Sequence, residues 1–147
     1  MMHLYHSSSD RINKLITRAY STSFSLGILG LNRSLRDPIY GIYGFVRVAD
    51  EIVDTFHGFD KATLLKRFWK DTHLALDEGV STNPVLHSFQ RVVNTYQIDR
   101  SLIDTFLASM EMDLDDRTYS QAEYEKYILG SAEVVGLMCL KVFVGGN

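Results

Sequence analysis

Signals for the start of a helix recur along this sequence and limit its fold more than any other feature. Asp37-Pro38 and Asn83-Pro84 each pair a typical N-cap residue with a proline suited to the first helical position. The other candidate caps are short polar residues that precede apolar side chains at three- and four-residue spacing: Ser9 or Asp10, Asp60, Asp99 and Ser120. Alternating strand patterns are absent. The sequence therefore predicts an all-α fold of about six helices with short connections.

Length and composition fit a single packed domain over residues 1–147. Hydrophobic residues make up 46% of the chain and aromatic residues 12%, which argues against disorder and for one buried core. The formal net charge of −3 gives no general attraction for nucleic acid, so we expect no nucleic-acid partner. An anionic ligand must therefore be held by local donors or by metal ions.

Targeting and redox signals are few. Cys139 is the one cysteine, so no disulfide can form within the chain, and no Cys/His spacing suggests a zinc site. The first ten residues lack the basic and apolar regions of a signal peptide, and no apolar run is long enough to span a bilayer. We expect a cytoplasmic location. A long apolar product would favour peripheral membrane contact, although the sequence shows no anchor.

The segment 43–54 carries the clearest chemical pattern. At about 100° per residue, Tyr43, Arg47, Asp50 and Asp54 share one helical stripe, and Glu51 lies beside it. Two carboxylates one turn apart can both reach Mg²⁺, and an arginine one turn earlier can bind a phosphate group. The pattern indicates a half-site for a diphosphate–Mg²⁺ complex. The alternative is an ordinary solvated helix face with intrahelical ion pairs.

Three segments in order give a resemblance to a known family. They read YSTSFS at 20–25, IYGIYGFVRVADEIVD at 39–54, and YILGSAEVVGLM at 127–138. Together they resemble the opening portion of squalene and phytoene synthases. The resemblance implies the front half of an isoprenoid-synthase-type helical bundle, and a role in isoprenoid or carotenoid biosynthesis. It also implies head-to-head condensation of two allylic diphosphates, farnesyl or geranylgeranyl. Mg²⁺ is the implied metal, with Mn²⁺ as an alternative, and NADPH is expected only for a squalene-type product.

The resemblance also assigns roles by position. Asp50 and Asp54 would be metal ligands with Glu51 as an accessory, and Arg47 and Tyr43 would contact diphosphate; Asp50, Asp54, Arg47 and Tyr43 form the predicted catalytic set. The other predicted substrate-binding residues are Ser21, Ser23, Phe24, Tyr127, Ala132, Val135 and Gly136. Without the family, the small residues Gly130, Ser131, Ala132 and Gly136 fit tight helix packing equally well.

The sequence also departs from the family pattern. Many relatives carry an aromatic residue where Leu129 stands, Gly where Glu133 stands and His where Tyr20 stands. We expect Glu133 to point outward or to be paired, because a buried Glu needs a partner.

The second acidic cluster of the family is absent. Asp113, Asp115 and Asp116 do not replace it, and Asp115-Asp116-Arg117 reads as a solvated helix end. We therefore expect the 147-residue chain alone to be inactive or nearly so, and to self-associate through the apolar surface that a second half would cover. The alternative function is a non-catalytic helical binding module.

Overall fold

The protein is described by a computed structural model that covers residues 1–114 and 120–145. These residues form eight α-helices, one π-helical turn and no β-strand, which confirms the predicted all-α fold. The α-helices, numbered α1 to α8 in chain order, are Met2–Tyr20, Thr22–Leu29, Arg33–Asp54, Lys61–Glu78, Pro84–Tyr96, Arg100–Asp113, Gln121–Ile128 and Val134–Phe143. The π-helical turn, Leu129–Glu133, joins α7 to α8 without a break, so the two helices form one rod.

Most of the predicted helix starts are confirmed by their cap geometry. The Asp60 carboxylate accepts the Thr63 backbone N–H at 3.1 Å and so begins α4. Asn83, followed by Pro84, accepts the N–H of Val85, and Asp99 begins α6 in the same way. Ser120 and Glu123 form a reciprocal capping box at the start of α7.

The predicted start of α1 is wrong. This helix begins at Met2, and the two residues expected to cap it lie within its length. Asp10 accepts a hydrogen bond from the Ser88 hydroxyl at 2.7 Å and pairs with Arg91 at 3.6 Å, so its carboxylate is used between helices. Ser9 is fully buried in the interior. Tertiary packing therefore outweighs the capping preference of both residues.

The predicted start of α3 is also wrong, and the Ser/Thr-rich stretch before it is helical. Asn32 caps α3 five residues before the predicted cap Asp37, and Pro38 lies inside the helix. Arg36 stabilises this early start by donating to the Leu29 and Leu31 carbonyl oxygens. Residues 22–29 form α2, with Ser21 as its N-cap and Ile28 buried. A short helix of this kind depends on packing more than on propensity.

Helix α3 is the centre of the molecule and packs against α1, α2, α4, α5, α6 and α8. Its Phe45 is completely buried and stacks on Phe89, with ring centroids 3.9 Å apart. Phe68 and Phe106 contact the same ring at 5.4 and 5.7 Å. Burial of these aromatic side chains, each worth about 1.5–3 kcal/mol, fixes the orientation of α3 and of the polar stripe on its outer face.

Close backbone contacts hold α1 and α5 against α3. A Cβ atom on Gly44 would lie 2.5 Å from the Asn13 side chain, so only glycine allows this approach of α1. The buried Asn13 amide donates to the carbonyl oxygens of Gly41 and Val85 at 3.4 Å, which links all three helices. His87 of α5 is also fully buried and lies 2.8 Å from the His6 ring nitrogen.

The π-helical turn brings the last rod against α6. The N–H of Val134 donates to the carbonyl oxygen of Leu129, five residues earlier, which is the π-helical pattern. Gly130 faces α6 so closely that an added Cβ would overlap the Ser109 hydroxyl. Within residues 1–114 and 120–145, no helix combines the length and apolar character that crossing a membrane requires.

Candidate active site

The polar stripe of α3 is a compact set of charges around Arg47. Its Nη2 atom bonds the Glu51 carboxylate at 2.6 Å. The nearest guanidinium nitrogens lie 3.8 Å from Asp50 and 4.0 Å from Asp54, beyond hydrogen-bonding distance. The charged side chains therefore lie together on α3 as predicted, and the ion pairs expected from the alternative interpretation, a solvated helix face, are present as well.

Two aromatic contacts connect this stripe to the junction of α1 and α2. The Arg47 guanidinium lies over the Tyr20 ring at 4.7 Å from its centroid, which is cation–π geometry. Phe24 stacks on Tyr43 with ring centroids 4.8 Å apart. The chain segment 20–24 therefore covers the first part of the stripe, although Phe24 itself is 40% exposed.

Asp50 carries negative charge that its surroundings only partly neutralise. Burial raises the pKa of its carboxyl to about 6, and the neighbouring carboxylates of Asp54, Asp113 and Glu51 act in the same direction. The Arg47 charge opposes the shift but does not cancel it. A bound cation would offset the negative charge here, and carboxylate oxygens are the ligand type that a hard divalent metal ion prefers.

Glu51 behaves differently from Asp50. Partial burial acts to raise its pKa, but the hydrogen bond and charge of Arg47, together with the nearby Thr55 and Tyr20 hydroxyls, lower that pKa below its ordinary value. Its carboxylate is therefore ionised and already engaged by protein donors. The two adjacent acidic residues thus have different environments on the same helix.

An apolar cavity opens beside the stripe. It has a volume of about 660 Å³ and is walled by α2, α3, the π-helical turn and α8. Six of the predicted substrate-binding residues line it: Ser23, Phe24, Tyr43, Ala132, Val135 and Gly136. Cys139 also lines the wall, and burial raises the pKa of its thiol to about 11, so it is an unreactive apolar surface. The size is typical of a small-molecule pocket.

The small residues of the last rod have two different environments. Gly130 packs against α6, whereas Ser131, Ala132 and Gly136 line the cavity, where a Cβ on Gly136 would meet nothing within 4 Å. Both interpretations of these residues, tight packing and ligand space, thus hold at different positions. Glu133 is exposed and points outward, as expected.

Some predicted site residues lie elsewhere. Ser21 uses its hydroxyl as the N-cap of α2, where it accepts the Phe24 N–H at 3.1 Å. Tyr127 is half-buried on α7 and is not part of the cavity wall. Asp115 and Asp116 lie outside the described residues. In the part of the chain that the structure covers, no three acidic, histidine or cysteine side chains converge into a ready metal cluster.

Comparison with known proteins places the chain in a family. The sequence profile described as Squalene/phytoene synthase matches residues 17–147. The chain belongs to the squalene/phytoene synthase family. The match includes both the acidic stripe and the cavity wall of the last rod, so the resemblance found in the sequence is confirmed.

Similarity to individual proteins supports the assignment to the squalene/phytoene synthase family. The chain is 27% identical over 127 residues to a presqualene diphosphate synthase from Rhodopseudomonas palustris, an alignment covering 85% of this chain and 45% of that protein. It is 26% identical over 137 residues to a phytoene synthase from Arthrospira platensis, covering 92% and 44%. The crystal structure of squalene synthase HpnC from Alicyclobacillus acidocaldarius has a TM-score of 0.86 at 23% identity, covering 98% of this chain and 54% of that one. The chain thus shares their fold and spans about half their length.

Sequence reasoning missed two residues at the site. Asp113 lies at the end of α6, close to the stripe. Burial raises the pKa of its carboxyl, and the Asp54 charge acts in the same direction. One available signal was an acidic residue in the last turn of a helix, where the dipole favours a basic one. Tyr20 was noted only as a departure from the family, because its contact with Arg47 crosses helices and follows no local spacing.

Proposed function

We propose that this chain supplies the first acidic half-site for head-to-head condensation of two allylic isoprenyl diphosphates. The observation that carries the proposal is the position of Tyr43, which lines the apolar cavity one helical turn before Arg47 begins the charged stripe. An isoprenyl diphosphate has the same order of parts, an apolar chain joined to an anionic head. Membership of the squalene/phytoene synthase family supports prenyl transfer as the reaction class.

Asp50 and Asp54 are the proposed metal-binding pair, for Mg²⁺ or Mn²⁺. Their carboxylates share one face of α3, where burial, together with the charges of the neighbouring carboxylates, raises the pKa of Asp50 to about 6 despite the opposing charge of Arg47. When bound there, the metal would neutralise the charge that develops on the departing diphosphate. Arg47 would hold the same diphosphate through guanidinium donors that no carboxylate uses, which orients the bond to be broken toward the cavity.

The cavity would receive the isoprenyl chain. Phe24 and Tyr43 form a stacked aromatic wall on one side, and Ala132, Val135 and Gly136 form an apolar wall on the other. Such an apolar lining suits an isoprenyl chain. Farnesyl and geranylgeranyl diphosphates are the proposed substrates, and the names of the relatives cover both presqualene- and phytoene-type products. NADPH use remains conditional on a squalene-type product.

The first experiment is calorimetric titration of the 147-residue chain with a non-hydrolysable isoprenyl diphosphate, with and without Mg²⁺. We expect binding that requires Mg²⁺ and is lost in the Asp50→Asn/Asp54→Asn variant. Asp71→Asn/Asp77→Asn, which removes two carboxylates from α4, is the matched control and should bind normally. Absence of binding by a folded wild-type chain would mean that the stripe is a solvated helix face.

Catalysis by the chain alone is not expected. The described residues provide one acidic pair and no third converging ligand, and a single pair cannot hold a full set of metal ions around a diphosphate. We therefore propose that the isolated chain binds substrate but is inactive or nearly inactive in catalysis. Product formation from radiolabelled farnesyl diphosphate by the purified 147-residue chain would contradict this.

We further propose that the protein is cytoplasmic, with peripheral contact to membranes. A separate proposal is that the chain self-associates through α8. Leu137, Leu140 and Phe143 are between 46% and 51% exposed, although each is a large apolar side chain. Adjacent apolar side chains on one helix favour association. Sedimentation at micromolar concentration should show dimers or larger species in the wild type, and Leu137→Glu/Leu140→Glu should sediment as a monomer. Identical sedimentation of the two would exclude this surface.

A further inference from the structure

Arg47 is held from two sides, and both contacts leave most of its donors unused. Within the part of the chain that the structure describes, its one side-chain hydrogen bond goes from Nη2 to Glu51. Its Nε–H is buried without a hydrogen-bond partner. The Asp50 and Asp54 carboxylates lie too far away to accept from it. A guanidinium has five N–H donors, so this one retains donors for an anion at the stripe.

Tyr20 and Glu51 come from different helices but meet at the same guanidinium. The Tyr20 ring covers one face of it at 4.7 Å, and the Glu51 carboxylate accepts along one edge at 2.6 Å. Tyr20 is the last residue of α1 and directly precedes the N-cap of α2, so the helix junction fixes the position of its ring.

We infer that Tyr20 and Glu51 are positioning residues that clamp Arg47 in the orientation needed to bind the substrate diphosphate. A free arginine side chain loses rotamer freedom when it is ordered. Because the clamp orders the side chain during folding, less conformational entropy is lost when the diphosphate binds. This inference rests on the proposed function, and it gives Glu51 the role of an arginine partner in place of an accessory metal ligand.

Calorimetry with the non-hydrolysable isoprenyl diphosphate and Mg²⁺ tests the role in binding. Glu51→Gln and Tyr20→Leu should each weaken binding by about 3- to 10-fold. Tyr20→Phe, which keeps the ring, should lose less than about twofold. Tyr124→Leu is the matched control, because Tyr124 is 53% exposed and Tyr20 is 52% exposed. In an Arg47→Met background, neither Glu51→Gln nor Tyr20→Leu should have any further effect.

A direct metal role for Glu51 gives the opposite pattern. Glu51→Gln would then weaken the binding of Mg²⁺ measured alone, and would still weaken it in the Arg47→Met background. Either result would overturn the inference. Thermal unfolding of each variant checks that a loss of affinity does not come from a loss of the fold.

An NMR signal separates the clamp from the proposed function. The Arg47 Hε proton should resonate upfield because of the Tyr20 ring current, and should be assignable by its loss in Arg47→Lys. Tyr20→Leu should move it downfield and Tyr20→Phe should not. An unshifted wild-type signal would overturn the clamp even if the diphosphate binds. A shifted signal in a chain that does not bind the diphosphate would overturn the proposed function, and with it the purpose assigned here to the clamp.

Discussion

The two sides of α3 use small residues for opposite purposes. Toward α1 and α5, Gly44 removes a side chain so that the buried Asn13 can approach the helix backbone. Toward α2 and α8, Gly27 and Gly136 line an open cavity, and a Cβ on either would meet nothing within 4 Å. On the first side the space beside the glycine is filled by protein, and on the second the space beside the glycines is open. A small residue is therefore informative only together with what occupies the space beside it.

The sharpest test of this comparison makes the same substitution on both sides. Gly44→Ala should lower the free energy of unfolding by roughly 2–3 kcal/mol, because its new methyl group collides with a buried, hydrogen-bonded side chain. Gly136→Ala should leave it unchanged or raise it by up to about 1 kcal/mol, because alanine favours a helix and finds free space. Urea denaturation measures both values. Equal destabilisation by the two variants would show that the open side is packed like the closed one.

The second test fills the open side. Ala132→Phe should weaken binding of the isoprenyl diphosphate analogue about tenfold, or about 1.4 kcal/mol, because the ring occupies the cavity. The loss should be larger for a geranylgeranyl than for a farnesyl analogue. Ala122→Phe on the exposed face of α7 is the control and should bind normally. If both variants bind like wild type, the apolar chain lies elsewhere.

The third test concerns the charge that the open side carries. In the metal-free chain, Asp50 has a folded pKa of about 6 against an ordinary value of 3.8, so its ionised form opposes folding. Asp50→Asn should therefore stabilise the chain at pH 7.5 by about 1 kcal/mol, allowing for solvent screening. The gain in stability should shrink as the pH falls from 6 toward 4, because Asp50 is then protonated in the folded chain and its buried charge is removed. Constant stabilisation at every pH would exclude titration of Asp50 as the cause.

Helix caps and the acidic stripe are the features that could be predicted from sequence. Asp60, Asn83, Asp99 and Ser120 act through backbone groups two or three residues away, so local spacing is sufficient. Asp10 has the same local appearance, but its partners Ser88 and Arg91 lie on another helix. The stripe of α3 follows from helical periodicity alone.

The remainder of the site could not be predicted because its contacts cross helices. Tyr20 meets Arg47 across the α1–α2 junction, and Asp113 reaches the stripe from the end of α6. Helix α2 was missed because its eight residues are held by packing of side chains such as Ile28. Only the family resemblance connected the stripe to the last rod before the structure did.

The smallest expected effect is on the closed side. His87 is buried, and its Nδ1 accepts the Ser81 backbone N–H at 3.2 Å, so the ring is held neutral. Burial lowers the pKa of the ring below 6.5, and the His6 and Arg91 charges act in the same direction. The unfolded chain takes up a proton more readily, so this contribution to stability is complete above pH 6.5 and is lost as the pH falls. The loss should be below about 1 kcal/mol between pH 7.5 and 6.

His87→Gln keeps a donor and an acceptor at this position and should flatten that dependence, which is best measured in the Asp50→Asn background. There the opposing Asp50 contribution is absent. An unchanged slope in the double variant would assign the pH dependence to another group.

The π-helical turn sets the rotational phase of α8. It places one residue more between α7 and α8 than an unbroken α-helix would, and one residue corresponds to a rotation of about 100°. Removing a single residue from 129–133 would therefore turn Val135, Gly136 and Cys139 away from the cavity without changing any of them. For the same reason, an insertion or deletion at this turn would change the cavity wall more than most substitutions in it.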